Sequence, residues 1–315
     1  MKSLLLSIIL LCGTLSLAAE KTSTAATAVT LALNWKAEPE FGGFYAAAID
    51  GDYLKNGISI NIQEGGSGTP TVQMLANGKV DFAIVSADEI VLSQDRNSKN
   101  KVVALFAVYQ TAPYVIMSHA ENGFQNLKDV FAGEGTLAVQ AGLPYYQFLA
   151  QKLGKPKANV VPYMGGVANF LNDKKFSQQG FIAIEPLVAE KSGAKVKSFL
   201  VADEGFNPYV VVLATRAETL KKNPELVKKM TEATRKGWES YLKDPTKANQ
   251  HMAKLNRALD LATFNKGAEI QKPLIETKGA LLGSMKTERW ETLVKQMKDL
   301  KQIKSSPAAK DLFTP

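Results

Sequence analysis

A short strand, helix, strand pattern runs through this chain twice in the same order, and that repetition limits the fold more than any other feature of the sequence. In the first series, residues 31–33 read as a strand, 44–55 as a helix stopped at Asn56-Gly57, and 58–62 as a strand of alternating polarity. Thr69 is placed to cap the next helix, with Pro70 in its first turn and Gly78 at its end. A strand at 80–85, a helix at 88–96 and a strand at 102–108 complete the series. The second series has strands at 136–140, 160–161, 180–184 and 196–201, with helices at 144–153, 167–171 and 186–191. VDFAIVS at 80–86 parallels GFIAIE at 180–185, and each runs straight into a helix. Alternating strands and helices of this kind predict α/β architecture, each half a mostly parallel sheet flanked by helices.

Residues 109–113 and 207–213 read as crossings between the two halves. After the second crossing the chain turns helical at 224–241, 245–261, 266–277 and 288–300. The simplest arrangement packs these helices back on the first half. Lobe 1 then comprises 28–110 and 210–315, and lobe 2 comprises 111–209. Two sequential domains with a helical tail are the alternative.

The start of the chain carries an address. Met1-Lys2-Ser3 is basic, residues 4–17 are largely apolar, and Ser16-Leu17-Ala18 supplies small residues for cleavage. This pattern predicts a signal peptide over 1–19 and a periplasmic location. The run falls short of the roughly 20 apolar residues of a permanent span. Cys12, the single cysteine, lies within it, which leaves disulfides and thiol catalysis outside the mature protein. About 300 residues remain, enough for two cores. The net charge of +8 is spread as lysines at helical spacing between 221 and 304, the pattern of solvated faces rather than of a nucleic-acid surface.

No catalytic constellation is present. His119 and His251 stand in polar stretches without metal-ligand spacing, and there is no Gly-x-Ser-x-Gly elbow or phosphate loop. Polar and aromatic residues gather instead at the carboxyl ends of expected strands, where open parallel sheets bind ligands. Trp35 and Glu38 follow the first strand, Ser67 and Thr69 lie in the glycine-rich loop after the second, and Ser86 and Asp88 follow the third. Gln140, Tyr145, Tyr163 and Glu185 hold the matching places in the second series, and Phe44 and Tyr109 complete the candidate ligand-binding set. Each has a plainer role open to it: Asp88 as a helix cap, Trp35 as core, the tyrosines as surface. If the halves face each other, aromatic walls suit a flat ring and carboxylates accept its N–H donors.

Leu33-Asn34-Trp35, the run from Phe41 to Ala47, GDYLKNGI at 51–58 and ANGKVDF at 76–82 resemble the thiamine-pyrimidine family. LKKNP at 220–224 and WESYLKDP at 238–245 extend the likeness over nearly the whole mature chain. That family joins substrate-binding proteins of bacterial ABC importers, for thiamine precursors, riboflavin or sulfonates, to the fungal pyrimidine synthases. The resemblance implies a two-lobed type II periplasmic binding protein fold, hinged between lobes, with an aromatic sandwich for the ligand. It implies a monomeric, non-enzymatic importer component that takes a planar heterocycle, a thiamine-precursor pyrimidine or riboflavin, and delivers it to a membrane permease. No cofactor is expected. The synthase alternative needs a histidine where this chain has Phe41, and a cysteine-rich motif where it has Glu204-Gly205-Phe206-Asn207-Pro208-Tyr209.

Overall fold

The computed structural model describes residues 25–96, 99–140, 143–276 and 279–314. The leader read over 1–19, Cys12 included, lies outside the described residues. The first series folds as β1 (Thr27–Ala32), α1 (Gly42–Ile49), α2 (Asp52–Lys55), β2 (Ile58–Gln63), α3 (Thr71–Ala76), β3 (Phe82–Val85), α4 (Ala87–Arg96) and β4 (Val102–Tyr109). The second folds as β5 (Tyr114–His119), α5 (Leu127–Ala132), β6 (Thr136–Val139), α6 (Pro144–Leu153), β7 (Asn159–Pro162), α7 (Ala168–Asn172), β8 (Phe176–Phe181), α8 (Glu185–Lys191) and β9 (Val196–Leu200). Then come β10 (Val210–Arg216), α9 (Ala217–Lys222), α10 (Pro224–Lys243), α11 (Thr246–Leu255), α12 (Leu261–Ile275) and α13 (Thr287–Asp299).

Two five-stranded sheets result, ordered β2-β1-β3-β10-β4 and β7-β6-β8-β5-β9. In the first, β1 pairs parallel to β2 and β3, while β10 runs antiparallel between β3 and β4. The second repeats the plan, with β6 parallel to β7 and β8, and β5 antiparallel to β8 and β9. This is the expected α/β architecture, with one reversed strand in each sheet. The chain crosses from the first sheet to the second between Tyr109 and Tyr114, and returns before Val210.

Both reversed strands sit beside the crossings and differ from the expected pattern. Residues 207–213 contain most of the incoming half of β10, and β5 begins directly after the 109–113 segment. Strand β8 lies four residues earlier than the expected 180–184. Its middle is polar, and Ser177, Gln178 and Gln179 are buried there with hydrogen-bonding partners. The apolar Ala183 and Ile184, which imitate a strand, form the turn into α8. The expected helix at 44–55 breaks in two at Gly51, whose φ of +74° suits glycine. His119 is buried rather than exposed, stacked on Phe170 with ring centroids 3.9 Å apart. His251 is exposed, as expected.

Close packing fixes the segment that carries Trp35, Glu38 and Glu40. Helix α10 crosses α1 where both present glycine. A side-chain carbon on Gly43 would stand 2.2 Å from the Trp238 ring, and one on Gly237 would stand 2.2 Å from the Gly43 carbonyl oxygen. Tyr53 Oη and Thr234 Oγ1, 3.1 Å apart in the core, join α2 to α10. The all-apolar β4 would be an exposed edge. It is covered by bridges from Ala104 to Phe313 and from Ala107 to Gly283.

Candidate functional site

The carboxyl ends of six parallel strands converge on one cavity of ≈ 320 Å³ between the two sheets. Asn34, Trp35, Glu38 and Glu40 reach it after β1, Gly66, Gly68 and Thr69 after β2, and Ser86 and Glu89 after β3. From the other sheet come Gln140 after β6, Tyr163 after β7, and Phe181 and Glu185 where β8 turns into α8. The reversed strands bring their first residues to the same place: Tyr114 of β5, and Val210 and Val211 of β10. Val211 has a φ of +53°, unusual for a β-branched residue, and its neighbours Val210 and Val212 take the ladder positions opposite Tyr109 and Ala107.

The walls approach closely. A side-chain carbon on Gly165, in the loop after β7, would lie 3.7 Å from the Trp35 ring. Trp35 Nε1 donates to Glu38 Oε1 at 3.2 Å, and Asn256 Nδ2 reaches the same oxygen at 3.4 Å. Opposite, Tyr163 Oη donates to Glu185 Oε1 at 2.7 Å, and the Phe181 N–H donates to Glu185 Oε2 at 2.7 Å. Glu89 Oε2 accepts from the Ser86 N–H at 2.8 Å and from its hydroxyl at 2.9 Å. Gln179 Oε1 accepts from the Gln140 N–H at 2.8 Å and from the Tyr145 hydroxyl.

Seven of the twelve candidates line the cavity: Trp35, Glu38, Thr69, Ser86, Gln140, Tyr163 and Glu185. The other five stand off it for identifiable reasons. Phe44 is fully buried, edge-on to Trp238, because α1 turns it toward α10. Ser67 is exposed at the loop tip, although its neighbours Gly66 and Gly68 line the wall. Asp88 is buried within the first turn of α4 rather than capping it, since that helix begins at Ala87. Tyr109 is drawn into the core by a 2.6 Å hydrogen bond from its hydroxyl to Gln271. Tyr145 lies behind the wall, stacked on Tyr114 and bonded to Gln179. Thr69 does not cap α3, which begins after Pro70; its hydroxyl accepts from the Gly66 N–H at 2.8 Å and closes the glycine loop.

Asn34, Glu40, Glu89, Tyr114, Gln179 and Phe181 are in the lining without having been candidates. Glu40 had one readable signal, a second acid two residues after Glu38 in a short turn. The acids crowd one another. Burial, then the Glu185 charge, pushes the Glu40 carboxyl up to about 8. Burial, then Glu40 and Glu185, holds Glu38 well above the usual carboxylate range. Burial also raises Glu185 and Glu89, against the hydrogen bonds each receives. Asp88 is raised to about 7 by burial and then by Glu89. Among the described lining residues there is no Lys, Arg or His. No described group of His, Cys, Asp and Glu is placed to hold a metal ion, and no described helix is long and apolar enough to cross a membrane.

Comparison with known proteins bears on the fold and the family. The chain is 25% identical over 228 residues to the riboflavin-binding protein RibY of Chloroflexus aurantiacus, a match covering 70% of this chain and 64% of RibY, so it spans somewhat under two thirds of that relative. The aliphatic sulphonate binding protein SsuA of Escherichia coli superposes with a TM-score of 0.70 at 11% identity, over 91% of this chain and 92% of SsuA. The desulfurization enzyme DSZB superposes with a TM-score of 0.63 at 13% identity, over 91% and 96% of the two chains. At such identities the likeness concerns the fold, a periplasmic binding protein fold of two α/β lobes. The family described as NMT1/THI5 like matches residues 38–248, a span from the Glu38 turn past both crossings and through α10, and the chain belongs to that family.

Proposed function

We propose that this protein is the periplasmic substrate-binding component of an ABC importer and that its ligand is a small planar heterocycle rich in N–H donors, a thiamine-precursor pyrimidine first of all. One observation carries the reading: a cavity lined from both sheets by aromatic rings and by the carboxylates Glu38, Glu40, Glu89 and Glu185, with no cation among the described lining residues. Flat rings fit between aromatic faces, and carboxylates in a dry cleft accept donors strongly. The same acids repel a sulfonate, so an anionic ligand like that of the E. coli neighbour is disfavoured here. The volume stands at the lower end of the roughly 300–1,000 Å³ of ligand pockets, which favours a single ring. Riboflavin is the second reading, favoured by the likeness to RibY.

In this proposal lobe 1 is 28–110 with 210–315, lobe 2 is 111–209, and a monomer closes on ligand and hands it to a membrane permease. Binding rather than catalysis is supported by the site itself: Glu38, Glu89 and Glu185 are engaged by the fixed donors Trp35, Ser86 and Tyr163, and the described lining holds no His, Lys or Cys. Native mass spectrometry of the protein with its endogenous ligand should give the mass of a pyrimidine or a flavin. Trp35→Ala should weaken binding of every flat ligand at least tenfold, and Glu185→Gln should weaken chiefly those that donate hydrogen bonds, by about 1.5–3 kcal/mol. Folded variants that bind as tightly as the parent, or turnover of the ligand by the pure protein, refute the proposal.

A further inference from the structure

The four acids of the cavity are not equally occupied. Glu38 receives Trp35 and Asn256, Glu185 receives Tyr163 and the Phe181 N–H, and Glu89 receives Ser86. Glu40 is 5% exposed and lines the same cavity, yet its Oε2 is buried without a hydrogen-bond donor among the described residues. Asn34 Oδ1, also in the lining, is a second buried acceptor without a donor. A buried acceptor left unpaired costs free energy, and a buried carboxylate costs more. No described donor reaches this atom, and the hydroxyls of Tyr109 and Tyr241, which feel the Glu40 charge, are given to Gln271 and Asn249.

Building on the heterocycle-binding reading, we propose that the ligand carries a cationic donor group, an ammonium or amidinium, and that Glu40 Oε2 is the atom that receives it, with Asn34 Oδ1 accepting a further hydrogen. Glu40 then selects for charge, while Trp35 and Tyr163 select for flatness. A single positive charge lets Glu40 give up the proton that it holds in the empty cavity near neutral pH, and supplies the donor that Oε2 lacks. A neutral ligand does neither. The upward shift of Glu40, which burial causes first and the Glu185 charge second, agrees with this placement.

Two pairs of compounds of matched shape test the assignment by titration calorimetry near neutral pH. One pair is an aminopyrimidine bearing an aminomethyl arm and its hydroxymethyl analogue; the other is benzamidine and benzamide. The parent protein should bind the charged member of each pair about tenfold tighter or more, and Glu40→Gln should reduce that preference to about twofold or less while still binding the neutral member. Preference for benzamidine without binding of either pyrimidine upholds the charge assignment and rejects the pyrimidine reading. Equal or weaker binding of the charged members by the parent, no binding of any of the four, or a preference that survives in a folded Glu40→Gln protein overturns the proposal. The parent's own preference decides whether the site takes a cation, and Glu40→Asp, which retracts the carboxylate by one methylene, tests the assignment to Glu40 by the same loss of preference where Glu40→Gln does not fold.

Discussion

At the scale of single residues, Glu40 makes the ligand-free protein a poor base-tolerant fold. Its folded carboxyl titrates at about 8 against an ordinary 4.5, so between those values the folded chain holds a proton that the unfolded chain has released. That difference favours the folded state fully below about 4.5 and is lost as pH climbs through about 8. Glu38, Glu185 and Asp88 shift the same way, while the hydroxyls of Tyr109, Tyr114 and Tyr241 are raised by burial first and by nearby acids second, and stay neutral throughout. Calorimetric melting of ligand-free protein should therefore show Tm falling between pH 5 and pH 8, and Glu40→Gln should melt higher than the parent at pH 8 by roughly 3–8 °C, with the gap closing at pH 5. A parent Tm that is flat or rises over that range contradicts this. Seven cavity residues were legible because each follows a strand whose end the sequence marks. Asn34 was not, because nothing local distinguishes an amide that faces a cavity from one that faces water, and Glu40 carried only the weak signal of a second acid beside Glu38.

At the scale of elements, α13 holds both crossings at once. Arg289 donates to the carbonyls of Asn207 at 2.7 Å and Pro208 at 2.9 Å, and to that of Gln110 at 2.6 Å, with its guanidinium 3.9 Å over the Tyr209 ring. Asn207 Oδ1 also accepts from the Ala112 N–H at 2.8 Å, tying one crossing to the other. Arg289→Ala leaves these acceptors unpaired and should cost about 2–4 kcal/mol in urea unfolding. Arg289→Lys should recover little, since one ammonium cannot reach carbonyls spread around a planar fork. Equal stability of parent and alanine variant would show the clasp to be incidental. The long helices were readable from their 3.6-residue period, as α10 and α13 confirm. The reversed strands were not: β5 and β10 are short apolar runs beside a crossing, and the buried glutamines of β8 interrupt its apolar pattern.

At the scale of the whole molecule, the cavity residues divide between two sheets joined by two short crossings, so a ligand bound there should bring the halves together. Small-angle scattering should report a smaller radius of gyration with a saturating ligand than without, and the change should be lost in Trp35→Ala at the same ligand concentration; identical profiles for parent with and without ligand would exclude a closing motion. The rim already joins the halves, through the Lys191–Asp260 pair between the end of α8 and the start of α12. That helix begins at Glu185, so one short element runs from the cavity to the surface.

The place of β10 decides the order in which the protein can be finished. The second sheet needs only a continuous stretch, from Tyr114 to Leu200. The first needs a strand that arrives about a hundred residues after its neighbour β4, because β10 lies between β3 and β4 and pairs with both. A chain emerging from its N-terminus therefore completes its later half first and carries β3 and β4 with open edges until Val210 appears. Both strands are apolar along their length, so until then each unpaired edge is a template on which another chain can add a strand.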